Sequence, residues 1–496
     1  MSRITRLLML FSLTLTSLSM FSCIDPMEPL APKDKDENPY SYNYPPLYVY
    51  PYGNEARNIT AEITITTDGT VDLNNIEAEI PHLKFNKSWL FMLTQDDCLH
   101  SAFSCTWAAI NGKPLTNKYY YDIRHIFEND LPPDVYYLNK TLGSDDGTGK
   151  EVRFHFTTTV FPQANLNTNY SSMYDAKSVI NPGFTENYYR FFMKSYLIWD
   201  NVIEMLNYGN SIAFHDVELE GEDLNNTNLI SDHFMICQDS IKKNLSQRGC
   251  KVLAEPNGNI NYYYSALNYN PIKIITGQGN APYIINPYTV NSDLEKEFIK
   301  RHFLLSANAT EQYKNIIINQ LSKPINQREA VHVGEHRTGK DWVDFLVWIN
   351  DTYGKDGDNS VWMPSLEEYY EYNYYRIHST ITKTIIDNNT VKFTIQLPSQ
   401  EYFYYPSITL NLQGINNQKV QCINSNDAIK GLSYGNNGQG LMVNIDCRKF
   451  LFEHATHYVE QYEMKKTSSN KADALYFTNQ LKDSPQKTSL LNRITP

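Results

Sequence analysis

Asp96 and Asp97 stand side by side at the end of an apolar run, Trp89-Leu90-Phe91-Met92-Leu93-Thr94, followed by Gln95. Successive side chains of a strand leave on opposite faces, so two adjacent carboxylates at its end point in different directions. One of them can hold a metal ion while its neighbour serves as general base. His215, His332 and His336 also fall at the ends of expected strands. A histidine from a second strand end would complete part of a metal shell. Adjacent aspartates are also common in solvated loops, and a lone histidine often packs or caps. The meaning of these residues therefore rests on the elements that place them.

Those elements alternate. Strands are expected at 89–94, 152–161, 210–215, 251–258, 272–276 and 330–336, with helices at 186–206, 231–249, 291–321 and 340–353. Strands separated by helices of this size imply parallel βαβ units, and a strand ending in carboxylates suits the carboxyl edge of such a sheet. The natural form is an α/β fold, a (β/α) barrel, closed or incomplete, over 86–376. Before it, AEITITTDGTVDL predicts a small N-terminal β-element over 56–85. After it, strands at 390–397, 407–412, 419–422 and 441–446 joined by Asn/Gly-rich turns predict a C-terminal β-sandwich over 377–462. The lysine-rich stretch 463–496 reads as a loose polar tail. Within 351–376, a helix is expected to bury Trp362, Tyr369 and Tyr372, with Glu367 and Glu371 paired to Arg376; lining a cleft is the other reading of this aromatic, acidic block. His454 and His457 read as a surface pair. There is no internal repeat, heptad pattern or phosphate-binding glycine loop.

The chain has 496 residues, a formal charge of −12, 13% aromatics and 37 tyrosines. That balance excludes a generic nucleic-acid binder, which needs a basic face, and the aromatic content excludes a disordered acidic chain. Arg3 and Arg6 precede an apolar run, Leu7 to Leu18, that closes with Met20-Phe21-Ser22-Cys23. This resembles a bacterial lipobox, with 1–22 a signal peptide and Cys23 the acylated first residue. Residues 23–55 have the Pro- and Asp-containing composition of a tether. The expected location is the bacterial cell envelope, periplasmic or surface-exposed, with membrane contact through the lipid alone. Six cysteines remain of the seven, as the sequence-local pairs Cys98/Cys105, Cys237/Cys250 and Cys422/Cys447. In an exported protein these are candidates for three disulfides.

In their order along the chain, the motifs resemble those of the polysaccharide deacetylases, carbohydrate esterase family four, which act on N- and O-acetylated sugars. Thr94-Gln95-Asp96-Asp97-Cys98 takes the place of that family's T-F-D-D-G, and Gly209 to His215 keeps the separation of glycine and histidine in G-x-E-I-G-x-H-(S/T)-x-x-H. Ala254-Glu255-Pro256-Asn257-Gly258 keeps the proline and glycine of R-x-P-Y-G. The resemblance implies a divalent metal, zinc or similar, held by Asp97 and His215, with Asp96 as base. It implies a general-acid histidine, His332 or His336, and an oxyanion held by the backbone N–H of Asn257. The departures are specific. Leu219 stands where the second metal histidine belongs, so Glu218, Asp216 or Glu220 would have to complete the shell, and the arginine that orients the base is missing from its motif. The expected activity is metal-assisted hydrolytic deacetylation of a poly- or oligosaccharide. The alternative is a catalytically inactive glycan-binding lipoprotein on the same scaffold.

Overall fold

The computed structural model describes residues 47–117, 119, 121–162, 196–215, 224–304, 306, 308–438 and 440–495. The expected signal peptide, Cys23, most of the tether and Glu218 lie outside the described residues. Among the described residues, no helix is long and apolar enough to cross a membrane.

The barrel is built on Trp89–Gln95, whose seven residues are all buried. It pairs in parallel with Val331–Glu335 on one side, Phe91 opposite Val331, and with Thr157–Val160 on the other. From Thr157–Val160 the parallel order runs through Ser211–Phe214, Val252–Ala254 and Ile274–Gly277 to Phe298–Lys300. His302–Phe303 then pairs with Val331–Glu335. Only Arg301 separates Phe298–Lys300 from His302–Phe303, so one stretch of chain joins the two ends of the sheet and closes the ring. The expected helix over 291–321 is thus helical only at Ala309–Leu321. Arg301, expected within that helix, is a buried interior residue between the two strands.

Strand alternation divides the apolar side chains into two layers. Phe91, Leu93, Phe214, Leu253, Ile275, Val331 and Val333 face the surrounding helices. Leu90, Met92, Ala213, Val252, Ala254, Ile274 and Ile299 face inward and join a second core that continues into the sandwich. The helix Leu366–His378 lies where barrel and sandwich meet, and Trp362, Tyr369 and Tyr372 are buried there with their rings edge to face. Its carboxylates do not pair with Arg376 as expected. Lys251 Nζ lies 2.6 Å from both Glu367 and Glu371, Arg248 pairs with Glu367, and all four side chains are fully buried. Arg376 donates to the carbonyl of Val290 instead.

The N-terminal β-element is not a unit of its own. Ile59–Thr67 lies in the sandwich between Thr390–Leu397 and Val420–Ser425, with Ile59 opposite Leu397, and Glu77–Glu79 adds an edge to the other sheet. Its alternation buries Ala61, Ile63 and Ile65 in the sandwich core. The stretch 463–496 is not a loose tail either. Leu451–Met464, Ser468–Asn479 and Pro485–Ile494 are helices whose Tyr458, Phe477, Leu490 and Ile494 enter the outer barrel core. The lysines that suggest a tail are in part engaged, Lys465 with the carbonyl of Phe127 and buried Lys487 with Asp483, while Asp473 pairs with buried Arg153 and Lys113.

The three expected disulfides are absent: Cys98, Cys105, Cys237, Cys250, Cys422 and Cys447 are free thiols, all buried except Cys422. Closeness in sequence does not bring the thiols together. Cys422 lies exposed on an outer strand of one sandwich sheet, whereas Cys447 follows the other sheet and is buried. Cys105 donates to the carbonyl of Gly339 and Cys250 to that of Ile212, each settled within its own packing.

His454 is likewise buried rather than on the surface; its Nε2 lies 2.9 Å from the carbonyl of Asn207, and its Nδ1 has no partner among the described residues. Burial, with Arg448 and His457 nearby, pulls its pKa down to about 3. An unfolded chain takes up this proton near 6.5, so between those values the unfolded state binds more protons and stability falls as pH falls. At pH 5 this one group costs about 2 kcal/mol relative to neutral pH. Urea unfolding of His454→Gln should therefore lose less stability between pH 7.5 and pH 5 than wild type; an unchanged pH loss would contradict the assignment.

Candidate active site

Both carboxylates arrive at the carboxyl edge of the barrel and separate there. The amide of Asp96 donates to the carbonyl of Glu335 at 2.7 Å, carrying the parallel ladder one residue past the strand. Its side chain is fully buried and accepts two parallel hydrogen bonds from Arg301, Nη1 to Oδ1 and Nη2 to Oδ2, both at 2.7 Å. This two-pronged pairing is the strongest that a carboxylate can make with a side chain. The arginine missing from the Ala254 motif position is thus supplied by a different strand. The only sequence signal for it was the apolar pattern of Phe298, Ile299 and Phe303 around a charged centre.

The backbone of Asp97 and Cys98 reverses, with φ of +61 and +52, a conformation costing roughly 1–2 kcal/mol for each L-residue. Cys98 is held there by its N–H on Thr159 Oγ1 at 3.0 Å and its carbonyl on the Leu197 N–H at 2.8 Å. The reversal brings Asp97 to the mouth between two histidines: Oδ1 is 3.3 Å from His215 Nε2, and Oδ2 is 3.6 Å from His336 Nε2. Burial pushes the Asp97 carboxyl up, but the hydrogen bond and charge of His215, with His336 and Arg301, outweigh it and hold the pKa below its usual value.

His215 follows Ser211–Phe214, is buried, and lies parallel to the ring of Phe161. Its Nδ1 is 2.8 Å from the carbonyl of Ala254, which places the proton on that nitrogen and turns Nε2 towards Asp97. His336 packs edge-on against Phe303 at the rim. Gln95 fixes the loop that carries it: the buried amide donates to Ser101 Oγ at 2.9 Å, Thr338 Oγ1 at 3.2 Å and the His336 carbonyl at 3.2 Å, and accepts from Thr106. His332 does not join this group. It points into the barrel, 2.9 Å from Thr94 Oγ1, and burial with Arg301 holds its pKa far below the usual value.

Asn257 lies in the exposed turn after Val252–Ala254, with φ of +54. Two carboxylates at the mouth were not foreseen. Glu255 is fully buried, accepts from Asn280 at 2.9 Å, and leaves its Oε2 unpartnered among the described residues. Burial raises its pKa. Glu335, beside His336, is pushed up to about 7 by burial. Each follows directly on a strand or ends one, a position that the sequence marks only weakly.

A closed parallel barrel with paired aspartates and histidines on its carboxyl edge defines a barrel of the deacetylase class. The family model described as "Putative polysaccharide deacetylase" matches residues 61–495, and the chain belongs to that family. The match extends from the first sandwich strand to the last helix, so sandwich, barrel and C-terminal helices form one family unit, and the family implies a carbohydrate substrate. No curated protein matches the chain.

The family also implies a metal. With its Nδ1 protonated, a neutral His215 presents a lone pair to the Asp97 carboxylate, so two acceptors face each other. A second ring proton or a cation between them relieves this, and a carboxylate and an imidazole nitrogen suit a divalent ion. Among the described residues no group of three such side chains is gathered to hold one. Asp97 and His215 would supply two ligands, and Asp216, Glu218 and Glu220 lie outside the described residues. Chelator-stripped wild-type protein titrated with Co²⁺, followed by visible absorption, should bind the ion. Asp97→Ala and His215→Ala should each weaken binding at least about tenfold; equal binding in all three would remove these residues from a metal site.

Proposed function

We propose that this protein is a lipid-anchored carbohydrate deacetylase of the bacterial cell envelope, tethered through Cys23, whose barrel mouth hydrolyses acetyl groups on a glycan. The observation that carries the reading is the division of labour at Asp96-Asp97: one carboxylate clamped by a buried arginine, its neighbour turned out to histidines from two other strands. Asp97 and His215, with Glu218 or a neighbouring acid, would hold a divalent ion that supplies Lewis acidity towards the acetyl carbonyl and an activated water.

The remaining work belongs to the chain. Asp96 is oriented by Arg301, and each of its oxygens retains a lone pair with which to take the proton of the attacking water. His336, at the rim and partly exposed, delivers a proton to the leaving nitrogen or oxygen, a role closed to His332 inside the barrel. The Asn257 N–H stands in the turn beside the mouth, where it can donate to the developing oxyanion.

A glycan-binding protein without catalysis is the second reading, and one observation favours it: Asp96 has no surface open to solvent. Acetate release from acetylated oligosaccharides separates the two. Wild type should release acetate from the membrane fraction, and Cys23→Ala should move the activity to the soluble fraction. Asp96→Asn should lower kcat by about 10²–10⁴. Equal rates in wild type and Asp96→Asn, or no release by either, would leave binding as the function; activity that stays with the membranes in Cys23→Ala would refute the anchor.

A further inference from the structure

A cavity of about 580 Å³ lies at the end of the molecule opposite the mouth, where barrel, sandwich and C-terminal helices meet. Its barrel wall comes from His155 and Asn207 to Gly209, which precede the strands Thr157–Val160 and Ser211–Phe214. It therefore sits at their amino ends, whereas Asp96, His215 and His336 sit at the carboxyl ends. Ser433 and Asn444 of the sandwich and Tyr476 and Asn479 of the helix Ser468–Asn479 supply the other walls.

The floor is a buried charged group. His155 Nδ1 is 2.8 Å from Glu368 Oε2, and Lys84 Nζ is 3.0 Å from Glu368 Oε1. Burial pushes the Glu368 carboxyl up, but the charges and hydrogen bonds of Lys84 and His155 outweigh it and bring its pKa down to about 2. The His155 ring lies so close over Gly209 (φ +92) that a β-carbon there would meet Nε2 at 2.5 Å, so glycine is what admits the imidazole to this wall.

Most charges around the cavity are matched in pairs, Glu151 with Lys355 among them, and Lys150 Nζ is spent on the carbonyl of Leu432 at 3.0 Å. Arg448 pairs with Asp446 at 2.7 Å, and Asp146 accepts from Ser433 at 2.6 Å and from the N–H groups of Thr148 and Lys150. No excess of positive charge is left for a phosphate, and no set of free carboxylates for a cation. What the walls offer is amides, hydroxyls and phenol rings. Asn207 is buried, and its Oδ1 has no partner among the described residues. A volume in the range of small-ligand sites, lined by neutral hydrogen-bonding groups and aromatic surface, suits a polyhydroxylated neutral molecule.

We propose that this cavity is a second carbohydrate site, separate from the barrel mouth, which takes a short neutral saccharide and holds a glycan against the underside of the barrel. The site stands or falls independently of hydrolysis at the mouth. The test uses the neutral, non-acetylated trisaccharides cellotriose, mannotriose and xylotriose, each titrated calorimetrically into the full chain. At least one should bind, and His215→Ala at the mouth should leave its Kd within about twofold. Ala472→Trp and Asn479→Trp, both at exposed lining positions, should each weaken binding at least tenfold with unfolding midpoints unchanged. Binding by none of the three sugars, loss of binding in His215→Ala, or unaltered binding in both tryptophan variants would overturn the proposal.

Discussion

The carboxylate of Asp96 is out of contact with water, and a buried carboxylate survives as an anion only where a counter-charge and hydrogen bonds replace its hydration. Arg301 provides both through one forked contact. Much of the barrel follows from that requirement. The arginine reaches Asp96 only if 298–303 enters the wall as a strand, and there the stretch pairs with Ile274–Gly277 before Arg301 and with Val331–Glu335 after it. Closing the ring and neutralising the carboxylate are one structural event. With Asp96 committed inward, the next residue must leave the strand, and the left-handed turn at Asp97 and Cys98 carries it out to His215 and His336.

The opposite end of the barrel uses the same physics on a larger scale. Lys251 and Arg248, buried near the amino ends of the strands, are matched by Glu367 and Glu371 of the tyrosine-rich helix. Glu371 also accepts from the amides of Tyr404 and Tyr405, in the chain that leads into the sandwich. Buried ion pairs of this kind add little net stability compared with an apolar core, but breaking one is costly. They therefore fix how helix, barrel and sandwich sit together. The apolar contacts alone, a continuous layer from Leu90 to Val443, would tolerate sliding.

The sequence made legible what depends on local pattern. The run 89–94, the alternating 390–397 and the helix 340–353 lie where hydrophobic period and β-branched content place them. Asp96, Asp97, His215 and His336 could be read because strand ends expose side chains at one edge of a parallel sheet. What escaped depends on contacts far along the chain. Arg301 is 205 residues from Asp96, and nothing near it announces that a charged residue belongs inside. The isoleucines of Ile59–Thr67 show a strand but not its partners, which begin more than three hundred residues later. The cysteines misled because spacing says nothing of direction. The histidine pair 454/457 misled because a polar pair on a helix reads as surface until Tyr48 stacks over it.

The central claim is that a counter-charge brought in on a distant strand holds the Asp96 carboxylate in place. A double-mutant cycle on Asp96→Asn and Arg301→Met, with unfolding free energies from urea titration of all four proteins, tests it directly. Each single change should cost about 3–5 kcal/mol by leaving its partner buried and unpaired, and the double variant should cost clearly less than their sum. Costs that add to within about 0.5 kcal/mol would show that the two side chains do not act on each other.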